Sequence, residues 1–189
     1  MTADPRMVEM MNYYRDAELR GASLLMRLIG LMDEDPDAQT KLSLHLSEET
    51  HHAWLWTKRI SDIGGAPKKV LDGYQTRIGM RTVPRTILDI LALTVVVEER
   101  AHARYIEHLS RPNIDEETRK ILHAVTKDEK WHISWIKGKL EEIAARDGKQ
   151  EYAKQAMERY RAIDEQVYAE LRAKERALFG EAAVAGAAS

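Results

Sequence analysis

Two short stretches hold residues whose types and spacing suit metal chemistry: EETHH at 48–52 and DEKWH at 128–132. A glutamate and a histidine three positions apart on a helix project from neighbouring points of one face, where carboxylate oxygen and imidazole nitrogen can meet one divalent ion. Four such pairs occur, Glu48/His51, Glu49/His52, Glu99/His102 and Glu129/His132, where chance placement of the chain's glutamates and histidines gives fewer than one. A pair on a solvated face does nothing, so the apolar context sorts them. Leu42, His45, Glu49, His52, Trp56 and Ile60 follow the three-four rhythm of one helical stripe, which leaves Glu48 and His51 to one side. Leu122, Val125, Glu129, His132, Ile136 and Leu140 form the equivalent stripe further on. Buried carboxylates and imidazoles are costly unless compensated, and metal ions compensate them.

Single acids sit in matching positions elsewhere. Tyr14, Glu18, Gly21, Leu25 and Leu28 share a stripe, as do Leu91, Thr94, Glu98, Ala101 and Tyr105. Glu99 lies on a second apolar stripe with Leu88, Val95, His102 and Ile106, so periodicity leaves Glu98 and Glu99 both open. Four carboxylates and two neutral histidines carry a charge that two divalent ions cancel, and mixed oxygen and nitrogen donors suit iron or manganese better than a closed zinc site. Asp128 and Asp16 are placed to accept from the outer imidazole nitrogens. His45 reads as a satisfied core histidine, His51 and His102 as residues outside the ligand set, and Trp54, Trp56, Trp131 and Trp135 as packing. Lys68, Lys69, Arg77, Arg81 and Arg85 read as a solvated connection. Leu25, Leu91, Val95 and Ile136 would line an apolar approach to the site.

These residues need helices to position them. Glycine and aromatic residues are few, helix formers abound, and apolar residues recur at three and four rather than two, so the chain reads as all-α. Helical segments are expected over about 6–32, 36–63, 84–110, 114–146 and 149–179, bounded by Asp4-Pro5, DEDPD, Gly64-Gly65, Pro112 and Gly148. Short turns make the first two segments one antiparallel hairpin and the next two another. The long stretch GGAPKKVLDGYQTRIGMRTV between the hairpins implies a crossover along the bundle. Residues 1–148 are thus expected to form a four-helix bundle, 149–180 a fifth helix of the same domain, and 181–189 a disordered tail.

Glu18, E49-T-H-H52, Glu98 and E129-K-W-H132 on four successive helices resemble the ferritin-like di-iron carboxylate proteins, whose ligands are a Glu, a Glu-x-x-His, a Glu and a second Glu-x-x-His. The resemblance covers roughly residues 8–145. TVVVEERAHARY is similar to the third helix of demethoxyubiquinone hydroxylases, where a like run supplies a bridging glutamate and a tyrosine follows seven residues later; aldehyde-deformylating oxygenases have a similar spacing. The resemblance implies Glu98 rather than Glu99 as the ligand and Tyr105 as a catalytic neighbour. It further implies two iron ions (manganese being the substitute), Glu49 and Glu129 as bridges, His52 and His132 as terminal ligands, and an oxidase or oxygenase activating O2 or peroxide. Storage of iron, as in ferritins and bacterioferritins, is the alternative. The first helix reads ELRGA and the fifth segment is long and charged, both departures from the family pattern. Rubrerythrins are also similar in the second and fourth helices, but typical members carry a cysteine-bound iron.

This chain has no cysteine, so electrons must come from a separate donor. The same absence excludes disulfides and thiolate sites and fits a reducing, cytoplasmic setting. A net charge of -2 gives no footprint for nucleic acid. The N-terminus lacks a secretory pattern, and the longest apolar run, 87–97, is interrupted by Asp89 and too short to span a bilayer. A homodimer acting on a small hydrophobic substrate is the expected assembly and use.

Overall fold

The computed structural model describes residues 4–112 and 114–179, with side chains to 174. The tail expected at 181–189 lies outside the described residues. Within them every regular element is a helix: α1 (Pro5–Leu31), α2 (Pro36–Asp62), α3 (Tyr74–Arg81), α4 (Ile87–Leu109), α5 (Glu116–Arg146) and α6 (Gln150–Phe179). None is long and apolar enough to cross a membrane.

The helix starts follow from local chemistry. Asp4, Asp35 and Asp115 accept from the backbone N–H of Arg6, Ala38 and Thr118, satisfying donors that the first turn leaves open, and Pro5 and Pro36 occupy first-turn positions that need no N–H. Gly64 and Gly148, at φ 78° and 64°, reverse the chain after α2 and α5 in the left-handed region that favours glycine.

Contacts at the two ends define the topology. Arg59 near the end of α2 pairs with Asp115 at the start of α5, and Lys139 near the end of α5 pairs with Asp35 at the start of α2. Tyr14 early in α1 meets His108 late in α4. The hairpins α1–α2 and α4–α5 therefore pack antiparallel, α1 on α4 and α2 on α5, as a helical bundle. The connection between them is tied at one end by Lys68 N–H, which donates to Asn12 Oδ1, and delivers the chain to the opposite end, where α4 begins.

Two differences from the sequence reading concern that connection. It contains α3, whose Tyr74 and Ile78 are buried, and Tyr74 donates to Asp164 of α6 at 2.7 Å. Lys68, Lys69, Arg81 and Arg85 stay exposed, as a solvated connection implies, and at the surface Arg77 and Arg81 pair with Glu170 of α6, Arg77 also with Asp72. The second difference is the start of α4, which lies at Ile87 rather than near Pro84. Thr86 and Asp89 cap it reciprocally, and Asp89 also receives Tyr152 Oη and Arg159 Nη2 from α6. The acid interrupting the apolar run is thus a cap and an anchor for α6, which runs parallel to α4 through Asp89/Arg159, Arg100/Asp164 and Glu107/Arg172.

The core is layered. Met11, Tyr14, Trp56, Ile60, Tyr105, Leu122 and Val125 form one apolar cluster. Leu25, Leu28, Leu42, Leu91, Ile136 and Leu140 belong to another. On each of α1, α2, α4 and α5 the two clusters flank a buried acid: Glu18, Glu49, Glu98 and Glu129, each at most 4 % exposed. A polar layer crosses the middle of the bundle, where four unneutralised carboxylates would be strongly unfavourable.

Candidate metal centre

Each helix carries one acid into this layer because the acid shares its stripe with core residues a turn away on either side. His52 and His132 enter one turn after Glu49 and Glu129, and both are buried. Their Nδ1 atoms face inward. His52 Nδ1 lies 3.4 Å from Glu18 Oε2 and 4.0 Å from Glu129 Oε1. His132 Nδ1 lies 3.5 Å from Glu49 Oε1 and 3.8 Å from Glu129 Oε2. Their Nε2 atoms face outward to carboxylates: His52 Nε2 to Asp128 Oδ2 at 3.1 Å, and His132 Nε2 to Glu48 Oε2 at 2.9 Å. The outer acids draw the imidazole proton to Nε2, which leaves the Nδ1 lone pair pointing into the layer, as a metal ligand requires.

The clamps are reciprocal. Glu48 on α2 holds the histidine of α5, and Asp128 on α5 holds the histidine of α2. Sequence reasoning identified Asp128 but set Glu48 aside as off-stripe; the acid immediately before each Glu-x-x-His is the signal that finds both. Asp16, the other candidate acceptor, pairs with Arg20 instead.

Two groups of buried side chains bring ligand atoms within 4.8 Å of one another: Glu18, Glu49, His52 and Glu129 in one, and His45, Glu49, Glu98 and His132 in the other. Glu49 belongs to both. All six sequence-derived ligand candidates, Glu18, Glu49, His52, Glu98, Glu129 and His132, therefore converge. Glu99 does not: it pairs with Arg161 on the outer face of α4. His45 is not the satisfied core histidine expected, because neither ring nitrogen has a hydrogen-bond partner. His51 stays outside the layer, stacked on Trp54, which is 53 % exposed rather than packed.

The donor set fits divalent ions. Within the layer Glu49 Oε1, His52 Nδ1, Glu129 Oε2 and His132 Nδ1 lack hydrogen-bond partners, and all are atoms that could bind a cation. Burial, then the neighbouring carboxylates, raises Glu49 and Glu129 well above the usual carboxylate range. Glu98 is pushed up to about 7, chiefly by burial. Burial holds His132 down to about 2, so it is neutral. Burial also pulls on His52, but the neighbouring carboxylates of Glu18 and Asp128 outweigh that and raise it. Without a cation the layer must take up protons; with two divalent ions it need not.

Tyr105 donates a hydrogen bond to Glu18, and burial followed by the Glu18 charge keeps its phenol protonated. Tyr14 packs edge-on against Tyr105, centroids 4.8 Å apart, and both contact Trp56. Gly21 makes room for the shared acid, since a Cβ there would lie 2.3 Å from Glu49 Oε2. A small cavity reaches the carboxylates between α1 and α4, walled by Ala17, Gly21, Val97 and Ala101 and covered by Gln75 of α3. Leu25, Leu91, Val95 and Ile136, expected as an apolar lining, are core residues that do not border it.

No protein-family model matches the chain, and no curated protein is significantly similar to it. The class that fold and site define is therefore a helical bundle with buried glutamate and histidine clusters spaced to hold metal ions.

Proposed function

We propose that the chain is a dinuclear metalloenzyme of the ferritin-like di-iron carboxylate type, an oxidase or oxygenase that activates O2 or peroxide. The observation that carries this reading is the convergence of Glu18, Glu49, His52, Glu98, Glu129 and His132 in one buried layer, with both inner imidazole nitrogens unpartnered and both outer ones clamped by acids.

Two ferrous ions held there would supply electrons to the oxidant, and a separate donor would restore them. The chain's own residues define the rest. Glu49, common to both ligand groups, would be the carboxylate that both ions draw on. Glu48 and Asp128 fix the tautomers of His132 and His52. Tyr105 holds a proton against Glu18 at the edge of the site and is the candidate proton donor to it. Ala17, Gly21 and Ala101 keep the approach narrow, which suits a small oxidant and excludes bulk water.

The protein is stripped with chelator and titrated anaerobically with Fe(II), then exposed to O2. Two ions per chain and rapid O2 uptake are expected; no iron bound overturns the reading. A closed cage of many subunits on a sizing column would assign the same iron oxidation to storage.

A further inference from the structure

We infer that His45 is a metal ligand, so that one ion of the pair is held by two imidazoles and the other by one. This deepens the two-metal reading and rests on it.

The geometry comes first. His45 is fully buried on α2, one turn before Glu49, and its Nε2 lies 3.5 Å from Glu49 Oε1 and 3.6 Å from Glu98 Oε1. These separations are too long for hydrogen bonds. They are close to the spacing of two ligand atoms on one ion, on the order of 3 Å for metal–ligand bonds of about 2.1 Å. The ring stacks on His132, centroids 3.5 Å apart, while Trp131 and Trp135 meet it edge-on and offer no acceptor. A buried imidazole with neither nitrogen bonded is costly unless something else meets it. A cation shared with Glu49, Glu98 and His132 satisfies Nε2.

Comparison of the two hairpins isolates the position. Glu18 and Glu98, Glu48 and Asp128, Glu49 and Glu129, and His52 and His132 are each 80 positions apart, so the hairpins repeat one ligand pattern. The counterpart of His45 is Val125, buried in an apolar cluster. The histidine is thus an addition to one half. It makes a nitrogen-richer group of His45, Glu49, Glu98 and His132 beside a carboxylate-rich group of Glu18, Glu49, His52 and Glu129. Imidazole donors suit later first-row ions, so the two groups differ in donor chemistry.

The test uses the full chain, 15N-labelled at histidine, stripped and reloaded with Co(II). Proton NMR in water counts the paramagnetically shifted N–H signals of coordinated imidazoles, and competition with a chromophoric chelator gives the two affinities. Three such signals are expected in the native protein and two in His45→Val, with one of the two ions weakened on the order of 100-fold and the other little changed. Two signals in the native protein overturn the inference whether or not the variant folds, as does a variant that keeps both affinities. A native protein that binds no cobalt contradicts the two-metal reading itself, whereas two ions held with only two imidazoles contradict His45 alone.

Discussion

Glu49 is the residue on which both ligand groups depend, and its setting includes a glycine. Gly21→Ala puts a methyl against Glu49 Oε2. The expected result is a loss of metal affinity of at least tenfold with little change in the melting temperature of the metal-free protein, read by chelator competition and calorimetry. Unchanged affinity would show that Glu49 does not need the space. The outer acids make a second prediction. Glu48→Gln and Asp128→Asn each remove the acceptor charge from one histidine, and each should weaken metal binding roughly 10–100-fold. Equal affinity in both variants and the native chain would contradict the clamps. At this scale the sequence was legible where spacing and apolar context agreed: Glu49/His52 and Glu129/His132 stood out because no ordinary core tolerates them in mid-stripe. Glu98 was separated from Glu99 only by resemblance, since both stripes are apolar; the structure separates them through Arg161 on α6. His45 escaped because a single histidine on an apolar stripe does not reveal whether its nitrogens are bonded.

Among the elements, the long helices that carry the buried acids were readable from their periodicity, and α1 and α2 also from their Asp-Pro starts, whereas α3 was not. Eight residues with two buried side chains make a helix only when α6 is there to receive Tyr74, a contact made across 90 positions of chain. Asp89 was read only as a break in an apolar run, yet it caps α4 and binds α6 through Tyr152 and Arg159. Asp89→Ala removes the cap and leaves those partners without their buried acid. It should cost about 2–4 kcal/mol in denaturant unfolding. A loss below about 0.5 kcal/mol, typical of a neutral surface position, would show that Asp89 does not anchor α6.

For the whole molecule, the layered core links stability to metal and pH. Glu49, Glu98 and Glu129 all have carboxyls raised in the folded protein, so the stability they contribute is complete below about pH 4.5, their ordinary value, and is lost as pH rises through their folded values, about 7 for Glu98. His52, also raised, contributes in the same direction, below about pH 6.5. His45 and His132, lowered to about 3 and about 2, act oppositely: their contribution is present above about pH 6.5 and lost on acidification. Between pH 6.5 and 8 the histidines with lowered values no longer change, and the metal-free protein should melt at progressively lower temperature. Saturating divalent ion should flatten or reverse that slope, because it replaces protons in the layer. A metal-free melting temperature that rises over this range would contradict the account.

The antiparallel hairpins and the long connection between them were legible from loop lengths. The alternation of apolar, polar and apolar layers was not, because it requires four helices to be in register at once. That layer is the central claim, and metal content tests it most directly. The native chain should bind two divalent ions. The double variant Glu49→Gln, Glu129→Gln should bind none, yet melt higher than the native protein when both are metal-free, since two buried acids have been removed. A native chain that binds no metal, or a double variant that still holds two ions, would contradict it.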